Sequence, residues 1–152
     1  MSEKKVSKPV VPPVMLGWRE WLTLPELGIE RIRAKIDTGA RTSAIHAEDL
    51  QYFSKEGQKW VAFNVHPFGP GKEPITRVEA PLIEHRVVTS SSGQSTMRPF
   101  VYTHVIIGDR TIETELSLSN RDNLRFPMLL GRTAMHGVAT VDPSRSWLLG
   151  KL

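Results

Sequence analysis

Apolar and polar residues alternate along much of this chain. Ile32, Ala34 and Ile36 alternate with Arg31, Arg33 and Lys35, which is the period of a strand with one buried face. Upstream, residues 17–24 carry Trp18, Trp21, Leu22 and Leu24, and Pro25-Glu26-Leu27-Gly28 is a turn signal, so a hairpin leads into residues 29–36. Val61, Phe63 and Val65 predict a strand over residues 60–65. Residues 67–74 are rich in proline and glycine and read as a loop. Residues 75–81 and 83–89 read as two strands interrupted at Pro81. Residues 100–107 and 111–118 form the clearest hairpin, joined at Gly108-Asp109 with glycine first, as a two-residue type II′ turn prefers.

Other stretches are less regular. Residues 43–50 fit either a strand or a short helical turn, and the run Ser90-Ser91-Ser92-Gly93-Gln94-Ser95 lies between strands as the tip of a mobile hairpin. Residues 119–126 read as a polar loop. Pro127-Met128-Leu129-Leu130-Gly131 reads as a short buried strand running into a helical turn at residues 133–136, and residues 138–149 as two last strand pieces around Asp142-Pro143-Ser144. Many short strands with regular turns and almost no helical period predict a mostly β fold, a closed or partly open antiparallel barrel with one short helix.

Composition narrows the classes. With 152 residues and 39% apolar content the chain can bury one core, expected over residues 15–152, behind a Lys- and Pro-rich disordered leader at residues 1–14. That leader has no apolar run suited to a signal peptide or a membrane span. There is no cysteine, which removes thiol nucleophiles and Cys-based zinc sites and fits a reducing, cytoplasmic setting. The formal charge of +4 favours anionic partners modestly. Its basic residues are scattered, so neither a nucleic acid nor a membrane is an expected partner, and Arg31, Arg33 and Lys35 read as a solvated strand face.

The alternating stretch through Ile36 stops at Asp37-Thr38-Gly39, which places a carboxylate at the mouth of a core, on a turn that glycine permits. An apolar strand ending in Asp37-Thr38-Gly39-Ala40, a polar hairpin and then Met128-Leu129-Leu130-Gly131-Arg132 before a short helix resembles the retropepsin-like aspartic proteases. The string from Lys35 to His46, with Arg98-Pro99 and Leu129-Leu130-Gly131-Arg132, resembles more narrowly a bacterial family often labelled ATP-dependent zinc proteases. Some members of that family are associated with ribosomal-modification glutamate ligases. The resemblance runs over residues 17–149.

The resemblance implies a peptidase in which paired carboxylates share one proton and activate water. This chain has one Asp-Thr-Gly, so the second Asp37 must come from a second copy and the active form is expected to be a homodimer. Asp37, Thr38 and Gly39 are the catalytic candidates, with Thr38 supporting the turn by hydrogen bonding and Gly39 admitting the substrate backbone. Ser92 and Gly93 would lie in a flap closing over the peptide or protein substrate. Where retropepsins commonly follow Asp-Thr-Gly-Ala with an acid, this chain has Arg41. Arg41 and Arg132 would then lie near the turn without that partner. Together with Ala40 they are substrate-binding candidates for an acidic, glutamate-rich or glutamylated chain, unless Glu48 or Asp49 neutralises them. A glutamate ligase system is the further expected partner.

Two other classes stay open. A zinc hydrolase would have to assemble its ligands from separate strands, around His46 and Glu48 for example, because the five histidines form no His-Glu-x-x-His. An inactive peptide-binding module could keep the same barrel. Neither a cofactor nor a bound metal is expected. Gly69-Pro70-Gly71-Lys72 lacks the spacing of a phosphate-binding loop, and the serine run lacks Gly-x-Ser-x-Gly.

Overall fold

The computed structural model describes residues 11–89, 92–120 and 125–150. Its elements are β1 (Val14–Leu16), β2 (Arg19–Leu24), β3 (Ile29–Ile36), β4 (Ser43–His46), β5 (Glu48–Lys55), β6 (Gln58–Val65), β7 (Thr76–Thr89), β8 (Ser95–Ile107), β9 (Arg110–Ser119), β10 (Met128–Leu130), the short helix α1 (Arg132–Met135) and β11 (Ala139–Val141). The main sheet runs β2-β3-β10-β4-β9-β8-β7-β6-β5, and β8 also bonds back to β2 through Thr23 and Ile106. That second contact closes β2, β3, β10, β4, β9 and β8 into a barrel, with β7, β6 and β5 continuing as a sheet. The predicted mostly β barrel with one short helix is therefore the observed architecture.

Alternation builds the core as expected. Ile32, Ala34 and Ile36 are buried with Leu22, Leu24, Ile45, Val105, Leu116, Met128 and Leu130, while Arg31 and Lys35 stay exposed on the opposite face of β3. Burying such aliphatic side chains is worth about 1.5–3 kcal/mol each. The β8–β9 hairpin pairs Ile107 with Arg110, so Gly108-Asp109 is the two-residue turn; Gly108 takes φ +62° and Asp109 keeps a negative φ, as type II′ requires.

Three pairings are parallel, β3 with β10, β4 with β9 and β1 with β11, where the pattern predicted antiparallel neighbours. The cause is β10. It arrives late in the chain and enters between β3 and β4, running alongside β3 with Leu130 level with Ile36 and against β4 with Met128 level with Ile45.

Two predicted breaks also differ. Residues 75–89 form the single strand β7 from Thr76, which pairs with β6 as far as Pro81 and with β8 from Leu82, with an irregular register between Leu82 and Glu84. Pro81 is tolerated because the strand changes partner there. The open stretch 43–50 resolves into β4 and the start of β5, and the helical turn predicted at 133–136 begins one residue earlier. Of the two terminal pieces, only Ala139–Val141 is a strand. Trp147 adopts φ +58° and gives its N–H to the Arg19 carbonyl, and the N–H groups of Leu148 and Leu149 go to the Glu20 carboxylate.

Residues 1–10 of the expected leader, Ser90 and Ser91 of the hairpin tip and residues 121–124 of the polar loop lie outside the described residues. Val14, at the end of the expected leader, opens β1. Among the described residues no helix is long and apolar enough to cross a membrane.

Candidate active site

β3 and β10 end side by side, and each is followed at once by the residue that shapes the mouth of the barrel. The Asp37 N–H donates to the Leu130 carbonyl at 2.9 Å, one ladder step beyond Ile36. The turn then closes on the acid: Gly39 N–H donates to Asp37 Oδ1 at 3.0 Å, and Ala40 N–H to the Asp37 carbonyl at 3.2 Å. A Cβ on Gly39 would lie 3.2 Å from Oδ1, so a side chain there would crowd the carboxylate. Asp37 is half-buried and Thr38 and Gly39 are exposed. The Thr38 hydroxyl makes no hydrogen bond among the described residues; within one chain the turn is supported by Asp37 itself.

The start of α1 holds the far side of this turn. The first N–H groups of a helix have no partner within it. Here Arg132 N–H donates to the Ala40 carbonyl at 2.8 Å, and Thr133 gives both its N–H (3.2 Å) and its hydroxyl (2.8 Å) to the Arg41 carbonyl. Gly131 N–H donates to Ser43 Oγ at 3.0 Å. Ser43 and Thr133 were not singled out by the sequence; the only signal was a hydroxyl at a buried strand start and one in a helix's first turn.

Asp37, Thr38, Gly39, Ala40, Arg41 and Arg132 are thus brought together. Arg132 Nη1 reaches the Gly39 carbonyl at 3.3 Å, and Arg41 is exposed. Neither arginine has a carboxylate partner among the described residues. The two acids that could have neutralised them are engaged elsewhere: Glu48 lies between His46 and His66, and Asp49 accepts from Asn64 at 3.1 Å. Asp109 sits in the β8–β9 turn, and Asp142 holds Ser144.

Ser92 and Gly93 belong to a different unit, the exposed tip of the β7–β8 hairpin, where Gly93 takes φ +88°. The base of that hairpin is fixed to β9 by Arg86, which makes a two-pronged contact with Glu115 at 2.7 and 2.9 Å and also bonds Glu84. Glu115 and Arg86 each favour the other's charged form, so the carboxyl is held below its ordinary range.

His46 and His66 do meet Glu48, but as a hydrogen-bonded cluster. His46 Nε2 lies 2.9 Å from Oε2, and His66 Nε2 lies 3.0 Å from Oε1. His66 Nδ1 faces the Lys72 carbonyl at 3.1 Å. Both His66 nitrogens therefore face acceptors, the arrangement of an imidazolium. Burial works to lower the His66 pKa, but the Lys72 carbonyl and Glu48 outweigh it and raise it; Glu48 is lowered by its bonds from His46 and then His66. Each Nε2 is aimed at a separate oxygen of one carboxylate, not at a common point, so these residues do not fit a zinc ion. Among the described residues no group of three or more His, Asp or Glu is disposed to hold a metal.

Comparison with known proteins gives a consistent family. The model of a family described as "Retropepsin-like aspartic endopeptidase RimB" matches residues 15–151. A protein of Shewanella pealeana named "Probable alpha-L-glutamate ligase" is 41% identical over 90% of this chain, and one of the same name from Desulfotalea psychrophila is 41% identical over 91%. The chain spans only 30% of the length of each of these relatives. Among solved structures, Lpg0085 of Legionella pneumophila, described as of unknown function, superposes with a TM-score of 0.75 at 26% identity, covering 90% of this chain and 98% of that one.

Proposed function

The chain belongs to the RimB-like family of retropepsin-like aspartic endopeptidases, and we propose that it works as a pair of identical subunits, each supplying Asp37 to one acid pair that hydrolyses peptide bonds in acidic, glutamate-bearing proteins. Two carboxylates in close contact cannot both ionise, so they share a proton. The ionised member takes a proton from water while the protonated one donates to the scissile carbonyl. The water oxygen adds to the carbonyl carbon to give a gem-diol; the C–N bond then breaks as the proton gained by the base goes to the departing amine and one diol hydroxyl returns its proton to the other carboxylate.

The observation that carries this reading is the Asp37 turn. Asp37 is held through its backbone N–H by the Leu130 carbonyl and through its carboxylate by the Gly39 N–H, at an open mouth and with no second Asp-Thr-Gly in the chain. The Thr38 residue is exposed and its hydroxyl has no hydrogen bond among the described residues, which suits it to meeting a second subunit. The β7–β8 hairpin, anchored at Arg86 and carrying Ser92 and Gly93 at its tip, is the element suited to close over a peptide.

The acidic substrate is supported by Arg41 and Arg132, cations beside the turn without an acid partner among the described residues. It is supported also by the relatives' name, which refers to proteins of which this chain matches less than a third. A glutamate ligase makes the kind of chain such a peptidase would cut. Ligase activity itself is said of those longer proteins; this chain has no Gly-x-x-x-x-Gly-Lys-Ser/Thr.

The test is Asp37→Asn, assayed on a glutamate-rich peptide alongside sedimentation of the active protein. Cleavage should fall by about a thousandfold or more with the fold intact, since the amide cannot serve as the base. Activity should also sediment with the dimer. Undiminished cleavage by the amide variant, or full activity in a strict monomer, would overturn the reading.

A further inference from the structure

The outer face of β2 and β3 carries a pair of cations that nothing within the described chain neutralises. Arg19 and Lys35 lie directly opposite one another across the two antiparallel strands. Like charges in that position repel and destabilise the sheet. Yet neither side chain takes part in an ion pair or hydrogen bond with any described residue. The nearest acid in sequence, Glu20, is fully buried on the other face, and its oxygens are occupied by the N–H groups of Gly17, Leu148 and Leu149.

Arg19 is also held still. Its guanidinium carbon lies 4.6 Å from the centre of the Trp18 ring and 4.8 Å from that of Trp147. Trp147 in turn stacks on Trp21 at 5.4 Å, and Trp18 meets Phe126 edge-on at 5.8 Å. Its Nε is buried without a hydrogen-bond partner. A guanidinium fixed between two rings, with its hydrogen-bonding groups unspent, loses little freedom when it grips a carboxylate.

The position of this pair gives it a role. Lys35 precedes Asp37 by two residues at the end of β3, and the Asp37 N–H continues the β3–β10 ladder, so the two lie about 7 Å apart along the strand. The Ile36 N–H donates to the Trp18 carbonyl at 2.8 Å, tying the start of β2 to the same turn. We infer that Arg19 and Lys35 form a carboxylate-binding subsite next to Asp37, which receives an acidic side chain of the peptide substrate. Arg19 and Lys35 precede the turn in the chain and Arg41 and Arg132 follow it, so an extended acidic peptide would meet cations contributed from both ends of the turn. The subsite rests on the peptidase reading for what happens to that peptide, but not for its binding. Stacked bases are a poorer occupant: Trp147 already has Trp21 and Arg19 against it, which leaves it no open ring face of the kind single-stranded nucleic acid uses.

The experiment is a calorimetric titration of the full chain carrying Asp37→Asn with a hexaglutamate peptide, a hexaglutamine peptide and a single-stranded oligonucleotide. The glutamate peptide should bind more tightly than the glutamine peptide. Adding Lys35→Gln should weaken glutamate binding about tenfold, the size of one well-placed charge contact, and Lys35→Arg should restore it. Lys35 is exposed, so its replacement leaves the fold in place where Arg19→Gln could loosen the tryptophan stack. Unchanged glutamate affinity in Lys35→Gln, or binding of the oligonucleotide in preference to the peptide, would overturn the subsite. Cleavage that survives Asp37→Asn would instead sink the acid-pair reading and leave this binding result intact.

Discussion

Gly131 is packed against the backbone of Thr42: a Cβ added to it would fall 2.6 Å from both the carbonyl carbon and the carbonyl oxygen of Thr42. The same glycine donates its N–H to Ser43 Oγ and precedes the residue whose N–H holds Ala40. Its lack of a side chain is therefore what lets the β10–α1 corner press on the loop that carries Asp37. Gly131→Ala should cost about 1–3 kcal/mol of stability through overpacking, with a further loss of peptide cleavage as the turn is displaced. Urea unfolding and peptidase assays on the same preparation check this; an alanine variant with wild-type activity would mean that the corner does not set the acid's position.

Glu20 is the chain's internal clamp. Oε2 accepts from Gly17 at 2.6 Å and from Leu148 at 3.0 Å, and Oε1 accepts from Leu149 at 3.0 Å. Glu20→Gln replaces one acceptor oxygen by an NH2 group that confronts an N–H, and the buried donor left unpaired costs about 1–3 kcal/mol. The expected result is a lower urea midpoint, with earlier hydrogen exchange at Leu148 and Leu149 than elsewhere in the chain. Protection unchanged at those two amides would contradict the clamp.

The His66–Glu48 contact makes stability depend on pH in a defined direction. His66 has a folded pKa raised above its ordinary 6.5, so its contribution is complete below that value and is lost as pH rises through the folded one. Glu48 has a folded pKa lowered below its ordinary 4.5, so its contribution is complete above that value and is lost as pH falls through the folded one. Both are in place between 4.5 and 6.5. The urea midpoint should fall as pH rises from that window toward 8.5, and His66→Gln should remove that part of the slope. A slope that persists in His66→Gln would assign it to another group.

The apolar face of each strand, the turn of the β8–β9 hairpin and the acid that ends an apolar strand at Asp37 are all legible from neighbouring residues. These are local properties: side-chain alternation has a period of two, Gly108 supplies a positive φ, and Asp37 is followed two residues later by the glycine whose N–H its carboxylate accepts. The core could therefore be read from Ile32, Ala34 and Ile36, and the family from the ordered motifs around Asp37 and Leu129-Leu130-Gly131-Arg132. Which strands become neighbours emerges only in the folded barrel. Alternation marks a buried face without naming the partner across it, so nothing local required β10 to enter between β3 and β4 or β7 to run on through Pro81 by changing partner. The same holds for the functional surroundings. That Glu48 belongs to His46 and His66, leaving Arg41 and Arg132 without it, and that Arg19 and Lys35 stand opposite one another across β2 and β3, depend on strand register, and register is set by packing across the whole barrel.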